Sequence, residues 1–119
     1  MGAVMRIELP WPPRECSPNA RVHWAAKARA AQQARTTAHW LAVEARAGKM
    51  DPKPLNVTIT FCEPDRRRRD IDGMLSQAKN LLDGVADAIG VDDHFWSLTL
   101  RRGDVRKGGA VVVEINTGD

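Results

Sequence analysis

Asp70 and Asp72 are separated by one residue, Ile71, the consecutive arginines Arg66 to Arg69 run directly into them, and a second acidic pair, Asp92 and Asp93, follows further along the chain. Carboxylate oxygens are hard ligands, and Mg²⁺ takes one or two of them together with waters and substrate phosphate. Arginine forks match phosphate oxygens. Acidic residues alone repel a phosphodiester, whereas a divalent cation with flanking arginines turns the same pocket into a phosphate site. The chemistry this combination suits is therefore phosphodiester hydrolysis. Each part has a plainer use by itself: a lone Asp70 would be a helix N-cap, and the arginine run would be a solvated loop.

The elements around these residues decide whether they can meet. Residues 55–61, LNVTITF, alternate apolar and polar and predict a half-buried strand. It runs straight into CEPDRRRRDIDG, so the charged residues sit at a strand exit, where rigid elements tend to carry functional loops. From Ile71 to Ile89 apolar residues fall at 71, 74, 75, 78, 82, 85, 86 and 89, the pattern of one amphipathic helix. Gly90 suits its C-terminal end and Asp70 or Asp72 its start. The opposite side carries Asp72, Ser76, Lys79, Asp83 and Asp87, a polar stripe that without other partners is a solvent face.

Ahead of this region, MRIEL (residues 5–9) predicts a short strand that PWPP terminates, because proline has no amide donor. SPNA (17–20) supplies turn and cap residues. The alanine-rich run that follows predicts one long helix to Ala47, ended by Gly48, with His23, Lys27, Arg29 and Arg35 along it. At the other end, SLTLRR and AVVVEI predict two strands joined as a hairpin through GDVRKGG. The order β-α-β-α-β-β implies an α+β fold, a single small mixed domain over residues 1–119 with a sheet packed against two helices.

A chain of 119 residues, 43% of them hydrophobic, suffices for one modest core and excludes long disorder. Its net charge of +3 is mild, but arginine outnumbers lysine, which suits a polyanionic partner. Cys16 and Cys62 lack metal-ligand or CxxC spacing and read as reduced thiols. No apolar run approaches the ~18 residues of a membrane span, and the N-terminus lacks a signal-peptide pattern, so a cytoplasmic protein is expected.

Taken together, LPWPP (9–13), PDRRRRDID (64–72), the KxxxD element of Lys79 and Asp83, VDD (91–93) and KGG (107–109) resemble the RusA-type Holliday junction resolvases, endodeoxyribonucleases often carried by prophages. The resemblance covers roughly residues 5–116 in order. It implies a homodimer that nicks paired strands of a four-way DNA junction in recombination and repair, with Mg²⁺ (or Mn²⁺) as cofactor and 5′-phosphate and 3′-hydroxyl ends as products. Matched motif to motif, Asp70, Asp72 and Asp93 take the places of the metal-binding catalytic aspartates, and Lys79 that of the functional lysine. Two departures stand out. Gly73 occupies a position where the family commonly has asparagine, and Lys79 follows Asp72 by seven residues rather than four, one helical turn or ~5 Å further along.

Arg66, Arg67, Arg68, Arg69, Arg14 and Lys27 are the candidate contacts to the DNA backbone, which position a duplex without reading its sequence. Arg21, Arg29 and Arg35 are further candidates, or an ordinary solvated helix face. Trp11, Trp24, Trp40, Phe61, Phe95 and Trp96 are expected in the core or a dimer interface, with Phe95 or Trp96 alternatively stacking on an unpaired base. His94, beside Asp93, is the histidine worth following. The alternative function is a catalytically inactive junction-binding or DNA-binding module, possibly of phage origin. An unrelated nucleotide enzyme lacks support, since no phosphate-cradling glycine loop is present.

Overall fold

Strand β2, Leu55–Cys62, buries Leu55, Val57, Ile59 and Phe61 on one face, and Cys62 as well. A strand buried this deeply must satisfy its backbone on both edges. Strand β3, Trp96–Arg102, lies parallel to it on one side, from Leu55 opposite Trp96 to Phe61 opposite Arg102. Strand β4, Ala110–Asn116, lies antiparallel on the other, and β1, Val4–Pro10, pairs antiparallel with β4. The sheet order is thus β1-β4-β2-β3 in the computed structural model, which describes residues 4–45 and 47–116.

This order corrects the expected hairpin. β3 and β4 are not neighbours; residues 103–109 instead carry the chain across the end of β2. The crossing is held by the Gly103 N–H donating to the Phe61 carbonyl and the Arg106 N–H to that of Glu63, both at 2.9 Å. A hairpin would have left one edge of β2, a strand with a fully buried face, unpaired.

The helices α1, Trp24–Glu44, α2, Ile71–Gln77, and α3, Lys79–Ile89, supply the second layer. Ala34, Ala38 and Ala42 of α1 join Leu81, Leu82, Val85 and Ile89 of α3 and the inward residues of β1, β2 and β4 in one core cluster. On the other face of β2, Asn56, Thr58 and Thr60 are exposed or half-buried. The observed architecture is the expected α+β sheet-on-helix arrangement.

Helix α1 is shorter than the run from SPNA to Ala47. A 3-10 turn at Arg14–Cys16 and an extended stretch precede it, and His23 caps it, with Nδ1 accepting from the Ala25 N–H at 3.2 Å. The helix closes at Ala45, and the Ala47 N–H returns to the Ala42 carbonyl at 2.9 Å. Ala30, Ala34, Ala38 and Ala42, four residues apart, form its buried stripe. Small side chains let α1 approach α3 until backbone meets backbone: a Cβ on Gly84 would stand 2.2 Å from the Arg35 carbonyl oxygen.

The second predicted helix is two. At Ala78 (φ −85°, ψ −2°) the N–H is shared between the Met74 carbonyl at 3.0 Å and the Leu75 carbonyl at 3.1 Å, which tightens the turn. Residues on both sides of the break are tied to the segment after β1. Gln77 Nε2 donates to the Pro12 and Pro13 carbonyls at 3.0 and 3.1 Å, and Asn80 Nδ2 to Cys16 Sγ at 3.7 Å. Gly90 ends α3 in the left-handed conformation, as its sequence position implied.

Cys16 and Cys62 are buried free thiols. No helix among the described residues is long and apolar enough to cross a membrane. Of the aromatics, Phe61 is fully buried and Trp96 nearly so, while Trp24 and Trp40, expected in the core or a dimer interface, lie outside the core, 76% and 59% exposed on this chain. Both lie on α1 away from its alanine stripe, where small residues already fill the contact with α3.

Candidate nucleic-acid interface

β1, β2 and β3 run in the same direction, so the segments that follow Pro10, Cys62 and Arg102 emerge at one end of the sheet. The arginine run lies there. Between it and residues 102–105 is an open cleft of about 770 Å³, lined by Arg66 to Asp70 on one side and Arg102 to Val105 on the other. Arg14 joins from the segment after β1, sharing a recess of about 310 Å³ with Arg67 and Arg69.

The arginines are not equivalent. Arg66 and Arg68 are exposed and their side chains make no hydrogen bond or ion pair among the described residues, and the Arg67 guanidinium comes no nearer than 4.0 Å to the Asp65 carboxylate. Arg69 is instead tied down, 2.8 Å from Asp65 and 3.6 Å from Glu63, with its guanidinium 5.6 Å from the Trp11 ring centroid. The bond to Arg69 holds the Asp65 carboxyl below its ordinary value, and the same bond raises Arg69. Arg69, a candidate contact to the DNA backbone, is thus already engaged by acidic partners within the chain. Arg35 is also paired: its fork grips Asp87 at 2.6 and 2.8 Å, joining α1 to α3, so the far end of the polar stripe is a helix clamp. Lys27 stands exposed on α1, outside the cleft.

Asp70 lines the cleft beside Arg68. It occupies the N-cap position of α2, is exposed, and its carboxylate makes no capping bond. Asp72, in the first turn, is exposed and accepts from the Gly73 N–H at 3.0 Å. Asp93 belongs to a different group. It lies in the short turn before β3, where Lys79 at the start of α3 holds it while also donating to Asp83 at 2.8 Å. Burial opposes the charge on Lys79, but its bonds to Asp83 and Asp93 outweigh that and raise its pKa. The bond from Lys79 lowers Asp93. Lys79 follows Asp72 by seven residues, roughly 10 Å of helical rise, with the break at Ala78 between them. Among the described residues no three His, Cys, Asp or Glu side chains are gathered so as to hold a metal ion.

The roles of Trp11 and Glu63 beside the arginines escaped the sequence reading. Trp11, within LPWPP, packs edge-on against Phe61 at 6.4 Å, and a Cβ on Gly109 would stand 2.9 Å from its own Cβ. The ring thus touches β2, the arginine loop and the β3–β4 crossing. Glu63 lies between Arg69 and Arg102, 3.1 Å from the latter. The signal was a tryptophan flanked by prolines and two acids, Glu63 and Asp65, ahead of the basic run. Trp96 is unavailable for base stacking, since it is buried and its Nε1 donates to the Val91 carbonyl at 3.2 Å. Phe95 stays exposed, its ring edge-on to His94 at 5.3 Å, and the His94 N–H donates to Asp92 at 2.8 Å.

Fold and site define a small α+β domain with an arginine-lined cleft at the carboxyl end of its parallel strand pair. No family model matches the chain. An uncharacterized protein of Xylella fastidiosa (strain Temecula1 / ATCC 700964) is 42% identical over 116 residues, covering 94% of this chain and 76% of that one. The chain belongs to the same family as that protein.

Proposed function

We propose that the chain is a Mg²⁺-dependent, structure-selective endodeoxyribonuclease of the RusA type, acting in the cytoplasm as a homodimer on four-way DNA junctions during recombination and repair. The observation that carries this reading is the adjacency, in one cleft, of the unpaired Arg66 and Arg68 with the uncapped carboxylate of Asp70. Phosphate oxygens need the first, and a hard cation needs the second.

The donor chemistry fits Mg²⁺: Asp70 and Asp72 offer exposed carboxylate oxygens two residues apart, and Asp93 would complete the set once released from Lys79. Bound there, the ion would lower the pKa of a coordinated water and offset charge on the phosphoryl group. Arg66, Arg67 and Arg68, with Arg14, would hold the backbone beside Asp70. Lys79, freed from Asp93, would donate to the leaving oxygen. In the hydrolysis the water oxygen bonds to phosphorus and the bond to O3′ breaks, leaving a 5′-phosphate and a 3′-hydroxyl that takes the proton. A junction has two equivalent strands to cut, which a two-fold dimer matches with two equivalent sites.

A binding-only module is favoured by one observation, the engagement of Asp93 by Lys79. A synthetic four-way junction separates the two. With Mg²⁺ and not EDTA, the wild type is expected to nick it, and Asp72→Asn to bind without nicking. Binding without nicking by the wild type in Mg²⁺ or Mn²⁺ selects the module, and absence of binding rejects both.

A further inference from the structure

Arg69 differs from the arginines before it. Its side chain is 20% exposed, against 78% for Arg67. Nη1 donates to Asp65 Oδ1, and the guanidinium lies over the Trp11 ring. Arg102 closes the group from β3, its Nη1 3.1 Å from Glu63 Oε2 and its Nη2 donating to the Arg69 carbonyl at 2.8 Å. Two guanidinium groups thus face two carboxylates, and their charges cancel. Asp65 also accepts the Arg67 N–H at 2.9 Å, so the main chain of the run is fixed as well.

We propose that Arg69 and Arg102 are positioning residues: they latch the 65–70 loop so that Arg66, Arg67 and Arg68 face a nucleic-acid phosphate backbone, which the latch pair does not itself touch. The identity of the ligand rests on the function proposed above; the latch does not. A guanidinium at position 69 reaches both Asp65 and Glu63 through Nη1 while its weakly hydrated, delocalised group stays over the Trp11 ring at 5.6 Å, a combination that a strongly hydrated lysine ammonium matches poorly. Bonds that are charge-assisted and partly shielded hold better than exposed pairs.

The test measures hydrogen exchange over residues 63–70 and the salt dependence of binding to a fluorescein-labelled synthetic four-way junction, using the full chain. Arg69→Lys and Arg69→Gln are both expected to speed exchange of that segment roughly tenfold. Both weaken junction binding alike, and Arg69→Gln leaves the slope of log K against log salt at the wild-type value. Arg66→Ala and Arg68→Ala leave exchange unchanged and flatten the slope by about 0.9 each. Wild-type exchange in Arg69→Lys overturns the latch, and a flattened slope in Arg69→Gln makes Arg69 a phosphate contact. Where an Arg69 variant fails to fold, Arg102→Lys, on the more exposed side of the group, repeats the comparison. If the wild type does not bind the junction, the nucleic-acid reading falls while exchange still decides the latch.

Discussion

Lys79 at the start of α3 holds the carboxylate of Asp93, fourteen residues on, across the turn that leads into β3. The same ammonium holds Asp83 one helical turn away at 2.8 Å. Both partners of the longer pair keep a third or more of their side-chain surface in water, 53% for Lys79 and 38% for Asp93. Exposed pairs contribute little because solvent screens them, so a double-mutant cycle of Lys79→Met and Asp93→Asn should give a coupling of about 0.2–1 kcal/mol in urea unfolding. A coupling above about 2 kcal/mol would mark the pair as a structural brace and weaken its assignment to function.

The clamp between Arg35 and Asp87 makes stability depend on pH. The Arg35 bond lowers the Asp87 pKa in the folded chain. The folded state then binds fewer protons than the unfolded one, and the contribution is fully present above the unfolded aspartate value, about 4. It is lost as pH falls through the lower folded value. Urea midpoints of the wild type and Asp87→Asn should therefore differ by a constant amount from neutral pH down to about 5 and converge below about 4. A gap that persists undiminished at the acid end would contradict the clamp.

Gly84→Ala tests the contact between α1 and α3. The added Cβ would meet the Arg35 carbonyl oxygen at 2.2 Å and the Ala38 Cβ at 2.8 Å, and neither is the movable end of a flexible side chain. Separating the helices opens the core above β2, so a loss of about 1–3 kcal/mol is expected from thermal or urea unfolding. A neutral outcome would mean that the two helices are further apart than described.

Gly73→Ala should do the reverse. Position 73 lies in the first turns of α2, and a Cβ there has nothing within 4 Å. Alanine restricts the unfolded chain and favours the helix, for a gain of about 0.5–1 kcal/mol. Gly73→Asn, the residue common in the resembling family, should likewise fold and leave Asp72 in place, since the space is open. A strongly destabilised Gly73→Asn would show that glycine is needed here for a reason other than room.

The local periodicities were legible. Strict alternation in 55–61 appears as β2, and the apolar spacing from Ile71 onward appears as the inward faces of α2 and α3. The strand-exit position of the arginines followed from both, because β2 must end where alternation gives way to charge. What misled was adjacency. SLTLRR and AVVVEI are close in sequence, but the two free edges of β2 claimed one each. The break at Ala78 left no mark either, since Gln77 and Asn80 meet partners more than sixty residues upstream.

By itself the sequence determined which residue types stand at the end of β2, the order of elements, and that Asp70 and Asp72 begin a helix, because these depend on contacts within a turn or a strand. Only the tertiary structure decided what each charge does. Arg69 is drawn inward because Trp11 and Arg102 arrive from the ends of β1 and β3 and meet it beside Glu63 and Asp65 of its own loop, while Arg66 and Arg68 meet no such partners and stay in water. Asp93 is drawn to Lys79 because the turn after α3 folds back along that helix. Long-range pairing of charge depends on where remote segments come together, and a run of identical letters carries no trace of it.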